Sequence, residues 1–142
     1  MALSQDLALQ RGVYFGTGDG VESGSFVSRI ELSSLPNGGV LISYEATSRE
    51  QGVQHLEQSM LVAGPEGRDR LYIAHSESPF VTEMVETEPG SGRFEQPTPF
   101  GPYVMAVVIE IPEPGRLTYA WWWGADGTDP VEQSKADARL PL

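Results

Sequence analysis

The chain has 142 residues, enough for one domain (1–142) with its own core, and no stretch reaches the roughly 18 apolar residues of a membrane-spanning helix. Twenty acidic residues against nine basic ones give a net charge of −11, which disfavours nucleic acid and anionic lipid, since both are bound by neutralising phosphate with Lys and Arg. The absence of cysteine excludes disulfides, thiolate catalysis and Cys-ligated metal, and the opening MALSQDLALQRG carries no signal-peptide pattern, so the expected location is the cytoplasm.

The first element is a short helical turn over 4–10, with Ser4 as N-cap and Asp6 in the first turn. Beyond it Gly and Pro recur every ten or so residues, and the pieces between them read as strands. They fall near 12–17, 25–32, 40–48, 53–62, 70–76, 80–87, 92–96, 103–111, 117–124 and 131–140. Pro36-Asn37-Gly38-Gly39, Gly64-Pro65-Glu66-Gly67, Pro89-Gly90-Ser91-Gly92 and Ala125-Asp126-Gly127-Thr128 supply turns between them. Gly16-Thr17-Gly18-Asp19-Gly20 is read as a hairpin or bulge rather than a phosphate loop, because no Lys follows and Asp19 and Glu22 repel phosphate. The expected fold is all-β: one antiparallel barrel of about 8–10 strands, whose closure removes exposed edges.

Alternation assigns faces. Phe26, Ser28, Ile30 and Leu32 point inward. Tyr103, Met105, Val107, Ile109 and Ile111 share a face, yet Val104, Ala106 and Val108 are also apolar, so this strand is expected to be covered on both sides, by a helix or a second subunit. Across 53–61, Val53, His55, Glu57, Ser59 and Leu61 share one face, as in a lumen that is polar in patches. All three tryptophans fall in Tyr119-Ala120-Trp121-Trp122-Trp123. Tyr119, Trp121 and Trp123 share one face; Trp122 takes the other, against the N-terminal helix or a dimer partner.

Three segments carry a family likeness. Gly12-Val13-Tyr14-Phe15-Gly16-Thr17-Gly18 is similar to a Gly-x-Trp-x-Gly-x-Gly opening strand with Tyr14 in the tryptophan's place. Gly52-Val53-Gln54-His55-Leu56-Glu57-Gln58-Ser59 resembles a Gly-x-x-His-x-Glu-x-Gly segment, and Leu117-Thr118-Tyr119 through Pro130 to Ala136-Asp137-Ala138-Arg139 resembles a closing hairpin. Together with the strand order they resemble the calycin superfamily of lipocalins, fatty-acid-binding proteins and nitrobindin-like barrels. That resemblance implies a calycin-like barrel with a short N-terminal helix and one small apolar guest. Nitrobindins hold haem through a histidine at the start of the final strand. The matching position here is Gln133 or a neighbour, no histidine follows His75, and an amide is a poor iron ligand, so no cofactor is expected.

The candidate site follows from these faces. Tyr119, Trp121, Trp123, Tyr103 and Met105 are candidates for a ligand wall, core filling being the alternative, with Phe100 in the stiff loop Pro97-Thr98-Pro99-Phe100-Gly101-Pro102 as a lid. His55 and Glu57, adjacent on one face, form an acid/base pair or a stabilising hydrogen bond. Tyr14 and Tyr44 are further hydrogen-bonding candidates. His75 is read as a loop histidine, since no triad partner or nucleophile elbow accompanies it, and no metal site is expected. Two functions stand. One is a cavity enzyme of cyclase or isomerase type that folds a bulky apolar substrate, by analogy with small polyketide-pathway barrels that promote cycloadditions. The other is a non-catalytic carrier of a hydrophobic ligand. The enzyme is preferred because the haem ligand is missing and the lumen is mixed.

Overall fold

A computed structural model describes residues 2–98 and 101–141. Ten antiparallel strands follow one short helix, α1 (Leu3–Leu9): β1 (Gly12–Gly20), β2 (Gly24–Ser34), β3 (Val40–Ser48), β4 (Gly52–Val62), β5 (Arg70–His75), β6 (Thr82–Glu86), β7 (Arg93–Glu95), β8 (Tyr103–Glu113), β9 (Arg116–Ala125) and β10 (Val131–Arg139). Each strand pairs with its sequence neighbours, and β10 returns to β1, so the sheet closes into a barrel. The expected all-β barrel is therefore present at the upper end of the expected strand number.

Closure explains the glycines of the first strand. A Cβ on Gly16 would lie 1.8 Å from the Asp137 carbonyl oxygen of β10, and one on Gly18 would meet the Phe26 ring at 2.3 Å. Only hydrogen fits where the first and last strands meet. The segment Gly16–Gly20 is thus unbroken strand, paired with residues 134–138 and 24–28, and neither the expected hairpin nor a bulge. The chain turns at Val21, Glu22 and Ser23.

The helix begins one residue earlier than expected. Ala2 occupies the N-cap and offers no side-chain acceptor, while Ser4 sits buried inside the first turn. The cap comes instead from another element: buried Asp69, just before β5, accepts the Ser4 backbone N–H at 2.9 Å. Leu3 and Leu7 then join the core, and the helix packs against β2 and β3 as a plug in one end of the barrel.

That end is filled. Ile30, Leu32, Val40, Ile42, Leu61, Leu71, Ile73, Val107, Ile109 and Leu117 are all essentially inaccessible and form one continuous cluster. The mixed strands now have a definite parity. On β4 the face of His55, Glu57, Ser59 and Leu61 is the lumen, while Leu56 and Met60 point outward and are exposed. On β8 Met105, Val107 and Ile109 point inward. Outward-facing Ala106 is nevertheless fully buried, because it lies beside Trp122 of β9 and Glu95 of β7. Trp122 itself is half-buried beneath the Arg93 guanidinium, 5.3 Å from its ring. Side chains of neighbouring strands, rather than the helix, cover this outer stripe. Among the described residues no helix is long and apolar enough to cross a membrane.

Candidate functional site

The opposite end of the barrel is open. β3, β5 and β9 run towards it, so residues near their ends, with residues near the starts of β2, β4, β6, β8 and β10 and the turn after β1, surround a cavity of about 1350 Å³. Phe26, Tyr44, Met105, Trp121 and Trp123 form its wall, with His55 and His75 beside them. Tyr103, half-exposed, stands at the rim with Pro97, Thr98, Gly101 and Pro102 of the Pro-rich loop. Phe100, the expected lid, lies outside the described residues. The charged carboxylates on the lining are Glu22, Glu77 and Glu83, and no Lys or Arg is among the described lining residues.

Filled core and open cavity meet at Glu57. Its side chain is completely buried, yet its carboxylate is surrounded by donors. Trp121 Nε1 donates to Oε1 at 2.6 Å, and His55 Nε2 lies 2.7 Å from the same oxygen. Tyr119 Oη donates to Oε2 at 2.5 Å, with Ser59 Oγ more distant at 3.5 Å. Tyr119 and Trp121 belong to β9, across the barrel from β4 and not adjacent to it in the sheet. Glu57 therefore ties two opposite walls together through the lumen. A buried carboxylate is tolerable only with such compensation, and this one has no oxygen left for a substrate proton.

His55 extends the network to the mouth. Its Nδ1 lies 2.7 Å from Glu77 Oε1, so each ring nitrogen faces a carboxylate. A neutral imidazole has one N–H, and donating at both ends requires the imidazolium. Burial pulls the His55 pKa down, but Glu57 and Glu77 outweigh it and the net shift is upward. Burial pushes Glu77 up, but its bonds to His55, His75 and Ser76 leave it below the ordinary carboxylate range. His75 Nδ1 approaches the other Glu77 oxygen at 3.1 Å. The chain's two histidines thus share one carboxylate, their rings 5.7 Å apart.

Tyr44 completes the floor. Its ring lies 5.2 Å from that of Tyr119 and 5.6 Å from that of His55. Burial, and then the nearby Glu57, hold its phenol well above the usual range, so it remains a donor. Its ring is buried at the cavity, and among the described residues its hydroxyl takes no hydrogen-bond partner. Tyr119 is held protonated in the same way, by burial and then Glu57.

The sequence-derived candidates separate accordingly. Tyr44, His55, Trp121, Trp123, Met105 and Tyr103 lie on the cavity, and Glu57 lies just below it. Tyr119 sits beneath the floor as an anchor of Glu57 rather than on the cavity surface. Tyr14 is at the helix end, its hydroxyl donating to the Gln10 carbonyl at 2.6 Å. His75 and Glu77 were not singled out as site residues by the sequence. Their only signal was position: β5 pairs with β4 so that His75 faces Glu57, and that register is not readable from residue types. Comparison of the sequence with known protein families and with curated proteins returns no match.

Proposed function

We propose that the chain is a cavity enzyme of cyclase or isomerase type that binds one bulky, largely apolar and uncharged small molecule in the open half of its barrel. The observation that carries this reading is the cavity itself: aromatic walls, a rigid polar floor, and no Lys or Arg among its described lining residues. A fatty acid or phosphorylated metabolite would bring an anion into a site whose charged lining groups include three carboxylates and no Arg or Lys, so a neutral guest fits better.

The floor favours a particular kind of chemistry. Glu57 is saturated with donors and His55 is held at both nitrogens, so neither is free to take a proton. An intramolecular cycloaddition needs no base: two σ bonds form at the expense of two π bonds, and nothing leaves. The protein's contribution is to hold a flexible chain in its reactive conformation, and shape alone supplies much of such a rate enhancement. Tyr44 is the free donor that can reach a substrate carbonyl and draw electron density from the reacting alkene. His55, Glu57 and Tyr119 are positioning residues behind it.

The same saturation also supports a second reading, a carrier that returns its guest unchanged. The two are separated by incubating the protein with a linear substrate bearing a conjugated diene and an enone, and following products by chromatography. The enzyme reading expects an isomeric cyclised product above background, reduced about tenfold or more by Tyr44→Phe. Binding without conversion across a panel of tether lengths favours the carrier.

A further inference from the structure

Three ligand-type side chains converge at the cavity mouth. His55 comes from the start of β4, His75 ends β5, and Glu77 follows in the turn. One nitrogen of each histidine and one carboxylate oxygen lie within 4.8 Å of one another. We propose that His55, His75 and Glu77 form a binding site for a divalent transition ion of the Zn²⁺ class, with a fourth coordination position open to the cavity.

Donor type, support and access each favour this site. Two imidazoles and one carboxylate with an open position are the donor set of catalytic zinc sites, whereas Mg²⁺ and Ca²⁺ prefer oxygen alone. Zn–N bonds of about 2.0–2.1 Å set neighbouring donors roughly 3.3 Å apart in a tetrahedron, so His55 Nδ1 and Glu77 Oε1, now 2.7 Å apart, part by about 0.6 Å, while donors as far apart as 4.8 Å close by up to about 1.5 Å. Glu77 can supply that movement, since its side chain is half-exposed and sits on a turn.

Support comes from behind. A metal-bound histidine normally gives its other ring nitrogen to a carboxylate, which fixes tautomer and orientation. His55 already has that arrangement: Nε2 faces buried Glu57 at 2.7 Å, leaving Nδ1 turned to Glu77. Glu57 is in turn locked by Tyr119 and Trp121, so the most buried ligand is preorganised to a degree that a chance surface pair is not. A metal ion between Nδ1 and Glu77 takes the place of the proton there.

Access is direct, because all three residues line the cavity. An ion at this point would meet a guest's carbonyl or hydroxyl oxygen beside Tyr44 and Trp121, whose rings lie 5.6 Å from that of His55 and 5.5 Å from that of His75. The site does not depend on what the guest is or whether it is converted.

The test uses untagged, chelator-stripped protein titrated with ZnCl₂ by calorimetry, and with Co²⁺ followed by its visible ligand-field bands. The expected result is one equivalent per chain, an intense four-coordinate Co²⁺ spectrum, and at least tenfold weaker binding in both His75→Ala and Glu77→Gln. These two variants are decisive because neither residue anchors the buried network, and circular dichroism confirms that they fold. Glu57→Gln, which alters the group behind His55 without removing a ligand, is expected to weaken the ion by about 10–100-fold while keeping the stoichiometry. Absence of saturable binding by the wild type overturns the proposal. So does affinity unchanged in His75→Ala and Glu77→Gln, which would place the ion on the acidic outer surface.

Discussion

Trp121 Nε1 donates a hydrogen bond to Glu57 Oε1 at 2.6 Å, and the two residues stand on opposite walls of the barrel. This contact makes the tryptophan part of a fixed floor. It also sets a limit on the barrel: below it side chains fill the lumen, and above it the lumen is open.

Removing the carboxylate therefore exposes a debt on both walls. Glu57→Ala leaves the Tyr119 hydroxyl and Trp121 indole N–H buried without their acceptor, for an expected loss of about 3–5 kcal/mol in urea unfolding. Glu57→Gln keeps the shape and one acceptor, and is expected to lose about 1–3 kcal/mol. A loss below about 1 kcal/mol for Glu57→Ala would mean that the cross-barrel bonds do not hold the walls together.

Barrel closure gives a second stability test. Gly16→Ala places a methyl group against the Asp137 carbonyl, where backbone on both strands must separate. The expected cost is about 3 kcal/mol, the upper end for overpacking, again by urea unfolding. Gly24→Ala or Gly38→Ala would test a different thing, since open space surrounds those positions and only their positive φ is at issue. A Gly16→Ala protein of wild-type stability would contradict the close contact of β1 with β10.

The pH dependence of stability has a defined sign. The folded-state pKa of His55 lies above its ordinary value, so its contribution is fully present below about pH 6.5 and is lost as pH rises through the raised value. The measurement is the unfolding free energy of chelator-treated protein against His55→Asn across that range. His75 also contacts Glu77, so both proteins carry His75→Asn. The difference is expected to shrink on going from mildly acidic to alkaline solution. A difference that grows would reverse the assignment of His55 as a cation between Glu57 and Glu77.

Much of this architecture was legible in the residues, for physical reasons. Glycine and proline punctuation located all ten strands, because a meander must turn at each end. Period-two alternation placed Trp121 and Trp123 together and put Val53, His55, Glu57, Ser59 and Leu61 on one face, but a β-bulge between Val53 and His55 breaks the alternation and leaves Val53 exposed. Alternation gives parity within a strand but not its partner across the lumen. Glu57 therefore read as half of a pair with His55, while its bonds to Tyr119 and Trp121, more than 60 positions away, had no local signal. The helix cap failed for a similar reason: Ser4 had the right chemistry, but Asp69 reaches the same N–H from a distant loop. Tyr14 looked like any inward tyrosine, and only the direction of β1 places it at the closed end.

The open half of the barrel gives the most direct test of the proposed function. Intrinsic tryptophan fluorescence of wild-type protein is titrated with retinol and with retinoic acid, which share a polyene body and differ in the charge of the head. A neutral-guest cavity predicts saturable 1:1 quenching by retinol, at least tenfold weaker binding of the acid, and about tenfold weaker retinol binding in a folded Trp123→Ala variant. Equal affinity for acid and alcohol, or retinol binding unchanged by Trp123→Ala, would contradict it.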